Sequence, residues 1–111
     1  MRILPNVQTL REAVGQVVDS NSSDGYTPTR FIQATGGGDS PALLFVCERL
    51  IEKGETLEYL ERALIEHSQL LTLEDFVVRY GANWGFSPLT IEIAEARVKY
   101  FDQISGGKRY T

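Results

Sequence analysis

The chain carries one cysteine, Cys47, and one histidine, His67, and that scarcity removes whole classes of chemistry at the outset. A single thiol closes no internal disulfide, so a reducing, cytoplasmic compartment is the expectation. One cysteine and one histidine on separate helices do not complete a tetrahedral metal site, and neither a metal nor another cofactor is expected. Basic residues are also scarce. Eleven lysines and arginines against 15 acidic residues leave a formal charge of -4 and a pI near 4.9, a field that opposes nucleic acid and anionic membranes alike. No apolar run reaches bilayer length, and Met1–Asn6 is too short an apolar stretch for a signal peptide, so no membrane association is expected. Internal repeats and extended low-complexity tracts are missing as well.

What the chain does have is helical periodicity. With 111 residues, 42% hydrophobic and 23% charged, a single domain over 1–111 with one modest core is expected. The spacing predicts a mainly α, compact bundle of about five helices. Asn6 caps the first, with Val7, Leu10, Val14 and Val17 on one face. Asp19–Gly25 collects turn-forming residues, so 19–27 reads as a flexible loop. Residues 28–35 read either as a short strand or as an extra helical turn, because Thr27-Pro28 and Gly36 bracket a helix while Arg30–Thr35 suits extended chain.

The second helix is capped by Asp39 or Ser40, takes Pro41 as its first residue, carries the stripe Leu43, Leu44, Cys47, Leu50 and Ile51, and stops at Gly54. Thr56 caps the third, which turns Leu57, Leu60 and Leu64 inward and pairs Glu58 with Arg62 outside. Thr72 and Asp75 form a capping box for a fourth helix that stops at Gly81. Ser87-Pro88 opens the last and longest helix, which runs to about Ile104. Residues 105–111, released by Gly106-Gly107, read as a flexible tail.

That last helix is apolar on two sides. Leu89, Ile93, Ala96, Tyr100 and Ile104 fall together at about 100° per residue, and Ile91, Ala94, Val98 and Phe101 fall on the far side of the axis. Glu92, Glu95, Lys99 and Asp102 occupy the remaining strip. Such a helix either threads the middle of the bundle or gives one face to a partner chain.

Each candidate site needs chemical partners that the sequence does not supply. Gly36-Gly37-Gly38 lacks the following lysine of a phosphate-binding loop, and Asp39 in its place repels an anion. Gly38-Asp39-Ser40 resembles the Gly-Asp-Ser block of one serine hydrolase family over three residues only, and its general base would have to be His67, which sits at the end of a helix. Glu48, Glu52, Glu58 and Glu61 have the spacing of a solvated face, and Cys47 lies on an apolar stripe. The expectation is a non-enzymatic protein, with Gly36–Gly38 a hinge.

Thr72–Gly81 followed by Gly85–Ile91 resembles the helix-turn-helix of DNA-binding regulators over about a fifth of the chain. The resemblance implies a basic edge drawn from Arg79, Arg97, Lys99, Lys108 and Arg109. Against it stand Glu92 and Glu95 on the outer face of the second helix and a connection, Gly81–Phe86, longer than the usual turn. Tyr80-Gly-Ala-Asn-Trp-Gly-Phe86 sets three aromatics in that connection, where they plug the end of the bundle or, with Trp84 exposed, form an interaction hot spot. The reading is therefore a small protein-interaction or regulatory module presenting an apolar helix face or an aromatic loop. Its candidate interaction residues are Arg79, Tyr80, Trp84, Phe86 and Tyr100, and its partner is another protein or a second copy. The alternative is a helix-turn-helix-like DNA-binding regulator.

Overall fold

Six α-helices build the fold in a computed structural model that describes residues 1–111: α1 Leu10–Ser23, α2 Thr29–Thr35, α3 Leu43–Lys53, α4 Leu57–Glu66, α5 Leu73–Trp84 and α6 Pro88–Ile104, with a 3₁₀ turn at Gly36–Gly38. The protein is mainly α, and the segment that read as strand or helix is a helix, α2, which brings the number from the expected five to six. None of the six is long and apolar enough to cross a membrane.

Local chemistry sets most of the boundaries. The Thr72 hydroxyl accepts from the Asp75 amide while the Asp75 carboxylate accepts from the Thr72 amide, so both halves of the capping box are made at the start of α5. Ser87 accepts from Thr90 N and Pro88 occupies the first turn of α6, where its missing N–H costs nothing. Gly54 closes α3 in the left-handed conformation at φ 64°, and Glu58 meets Arg62 at 2.8 Å on the exposed side of α4.

Other boundaries differ from the sequence reading. Thr9, not Asn6, caps α1 through its bond from Glu12 N. Asn6 instead accepts from the Tyr80 hydroxyl across the molecule. Most of the expected 19–27 loop is helix, because α1 continues to Ser23 and buries Asn21 at 2% exposure. The start of α3 falls two residues after Pro41, at Leu43, without a side-chain cap.

The glycine run is a packed turn, not slack. Gly36, Gly37 and Gly38 all have positive φ, and a Cβ on Gly38 would stand 3.2 Å from the Arg11 carbonyl oxygen. A side chain is excluded by contact at Gly38, which lies directly on α1 where Arg11 pairs with Asp39, while Gly36 and Gly37 are exposed and are required by their left-handed backbone.

The core forms three adjoining clusters. The central one joins Leu10 and Val14 of α1 to Cys47 and Ile51 of α3, Val77 of α5 and Ala94 of α6. A second gathers the N-terminal segment through Leu4 and Val7 onto Phe76, and a third packs Ala63 and Leu64 of α4 around Phe101 of α6. The C-terminal residues expected to form a flexible tail are docked. Arg2 N donates to Arg109 O at 2.9 Å and Thr111 N to Arg2 O at 3.1 Å, so the two ends of the chain pair with each other.

Candidate functional site

The five residues singled out in the sequence do not form one surface, because the segment that carries most of them is helical. α5 runs through Gly81 to Trp84, and the actual connection to α6 is Gly85-Phe86-Ser87. Gly81 sits inside the helix because α6 crosses there. A Cβ at that position would be 3.2 Å from Ile91 Cγ1 and 3.0 Å from Val77 Cγ1. What stops the helix is Gly85, left-handed at φ 89°.

On the side of α5 that faces the N-terminal segment the rings form a ladder at helical spacing. Tyr80 stacks between Phe76 at 6.5 Å and Trp84 at 5.2 Å, centroid to centroid. The ladder is used internally. The Tyr80 hydroxyl donates to Asn6 Oδ1, and the indole N–H of Trp84 donates to Gln8 O at 3.1 Å, so both rings clamp the N-terminal segment. Phe86 is in the central core. Of the candidate residues only Arg79 and Tyr100 are exposed, on different helices.

The short connection removes one objection to the helix-turn-helix reading, but the basic edge it needs is dispersed. Arg97 is turned inward to Glu74 at 3.3 Å, and Arg109 is buried against Asp75 and Asp102. Arg79, Lys99 and Lys108 remain.

Groups with catalytic potential are equally separated. Cys47 is fully buried, and burial, helped by the nearby Glu74 carboxylate, pushes its thiol up to about 12, so no thiolate forms near neutral pH. Ser40 donates its amide to Thr35 O, whereas His67 packs beside Gly25 and Glu66, and no hydrogen bond joins serine to histidine. No group of three histidine, cysteine or acidic side chains is placed to hold a metal ion. Glu48 does have a task that its spacing did not reveal: it accepts from Ser87 N and lies 3.0 Å from Thr90 Oγ1 at the start of α6. The Ser87 N–H and the Thr90 hydroxyl hold its carboxyl below the ordinary carboxylate range against the opposing effect of burial.

The remaining surface feature is the outer side of α6. Ala94 and Phe101 face the core, but Leu89 is 61% exposed and Tyr100 is 40% exposed, with Ile93 half-buried and Ala96 exposed between them. These four recur at intervals of four, three and four residues and form one stripe. Glu92 and Lys99, two turns apart along one edge of it, are exposed and make no intramolecular ion pair. Sequence reasoning placed all six residues on α6 but selected only Tyr100. The missing signal was which of the two apolar sides the bundle would cover.

Comparison with family models, curated proteins and solved structures returns no match for the chain.

Proposed function

We propose that the protein is a small, non-enzymatic interaction module whose working surface is the outer stripe of α6, with a second copy of the chain as its partner. One observation carries the reading: Leu89, Ala96 and Tyr100 are exposed along one apolar stripe, with Ile93 half-buried against the core at its inner edge, and the stripe is edged by two unpaired charges of opposite sign. Two copies of α6 laid antiparallel about a two-fold axis set Leu89 against Tyr100 and Ile93 against Ala96, and each layer occurs twice. The same alignment brings Glu92 of each copy to Lys99 of the other. A parallel alignment would oppose like charges instead. The small Ala96 at the middle lets the helix axes approach closely, and α5 supports the helix from behind through Gly81. A seam of this length belongs among the smaller, reversible interfaces, consistent with a regulatory module that exchanges partners.

Charge exchange tests the pairing. By light scattering, Glu92→Lys and Lys99→Glu each weaken self-association, because each brings like charges together, and the double variant restores it. Association that ignores all three variants refutes the α6 alignment. The DNA-binding alternative draws support only from the three-residue turn between α5 and α6. It predicts salt-dependent retention on duplex DNA that is lost in Arg79→Ala and Lys99→Ala.

A further inference from the structure

A cavity of about 450 Å³ opens between α1, α2, α3, α4 and the start of α5, and no residue of α6 lines it. Its floor is built from buried side chains, among them Val17, Ile51, Leu71 and Leu73, and its rim from exposed ones, including Arg30 and Tyr59. The volume lies within the range of sites that enclose small organic molecules. Its walls are mainly apolar, which suits a ring or short hydrocarbon body.

Three polar features give the space chemical direction. Asn21 is 2% exposed, belongs to the lining, and has an Oδ1 with no hydrogen-bond partner in the protein. Buried carbonyl oxygens are rarely left unpaired, because removal from water without a replacement donor is unfavourable. The second is Glu74, also in the lining and 7% exposed, whose charge is already met by Arg97 at 3.3 Å. The third is Arg30. Its guanidinium lies 4.8 Å from the centroid of the Tyr59 ring, bridging α2 to α4 at the rim, and it has no carboxylate partner. Arg30 is thus the unneutralised charge of the lining, and it is held in place by an aromatic face.

We propose that this cavity binds a small aromatic carboxylate bearing an N–H or O–H donor. The ring enters the apolar interior, the donor satisfies Asn21 Oδ1, and the carboxylate stays at the rim on Arg30. Guanidinium geometry suits two-point contact with a carboxylate. Glu74, paired by Arg97 in the floor, leaves the rim positive. Binding here is independent of self-association, since cavity and α6 stripe share no residue.

Titration of the full chain with indole-3-acetate, followed by calorimetry and by amide NMR shifts, tests the assignment. Indole lacks the carboxylate and 1-methylindole-3-acetate lacks the donor. Indole-3-acetate is expected to bind and to shift resonances of Val17, Ile51 and Leu71, with each analogue weaker by about tenfold or more. Arg30→Gln, a surface change that leaves the core intact, lowers the affinity for indole-3-acetate to that for indole and leaves indole unchanged. Leu60→Trp, which fills the space, abolishes binding of all three while circular dichroism retains the helical signal. Three outcomes overturn the proposal: no shifts with any probe up to millimolar concentration, equal affinity for the three probes, or binding that survives both variants.

Discussion

Burying the Arg109 guanidinium at 1% exposure is tolerated only because every side of it is occupied. Asp75 accepts two bonds at 2.7 and 3.1 Å, Asp102 accepts from Nε at 3.0 Å, the Leu70 carbonyl oxygen accepts from Nη1 at 2.6 Å, and the ring centroids of Phe101 and Tyr110 lie 5.6 and 5.7 Å from Cζ. Since Asp75 also completes the capping box of α5, one carboxylate ties the C-terminal segment to a helix start 34 residues earlier. Arg109→Ala leaves Asp75 buried and undercompensated, and should lower stability by about 3–5 kcal/mol in urea denaturation. Arg109→Lys recovers little of that, because an ammonium replaces neither the paired donors nor the planar stacking. An Arg109→Ala protein as stable as the parent would show the tail to be undocked. The capping box was legible in the sequence but the docking of Arg109 on it was not, because Gly106-Gly107 ahead of a short basic end looks like any mobile terminus. The residues that bury Arg109 are distant in the chain.

At the scale of elements, legibility followed the range of the deciding interaction. The capping box, the Ser87-Pro88 start, the Gly54 stop and the Glu58–Arg62 pair each depend on residues within four positions, and all were read in place. The Thr9 cap of α1 and the Gly85 stop of α5 are just as local, but Asn6 and Gly81 offered the same signals earlier in the chain, and only tertiary packing decides between them. Gly81 illustrates the difference. Propensity alone favours Ala at a mid-helix position by about 1 kcal/mol, yet the added methyl would meet Ile91 and the stiff Val77 side chain. Gly81→Ala is therefore expected to destabilise by about 1 kcal/mol, the lower end of overpacking, and a raised melting temperature would show that α5 and α6 are not closely packed there.

The start of α6 depends on ionised Glu48, whose folded-state pKa is depressed chiefly by the Ser87 amide. A depressed carboxyl adds stability that is present above its ordinary value of 4.5 and is lost as pH falls through the lower folded value. Glu48→Gln should thus be less stable at pH 7 by about 1 kcal/mol, the difference between a charged and a neutral acceptor. The gap from the parent should close as the pH drops below the carboxylate range, and thermal melts from pH 7 to 3 check this. A gap that widens in acid would contradict the arrangement.

For the whole molecule, the sequence posed a choice between a last helix that threads the bundle and one that offers a face. The bundle covers Ala94 and Phe101 and leaves Leu89 and Tyr100 outside. The aromatic segment resolves the opposite way: Trp84 and Tyr80 are turned onto the chain's own N-terminal segment, and Phe86 is in the core. Periodicity alone was silent here, because apolar spacing identifies faces without saying what lies against them. Under the proposed function, the uncovered face of α6 is filled by a second copy. Sedimentation equilibrium of the unaltered chain across a wide micromolar range tests it most directly. The average mass is expected to rise with concentration from 12.4 kDa toward twice that value, and a Leu89→Glu variant to stay at the monomer mass throughout. A parent chain that remains at 12.4 kDa over the whole range would contradict it.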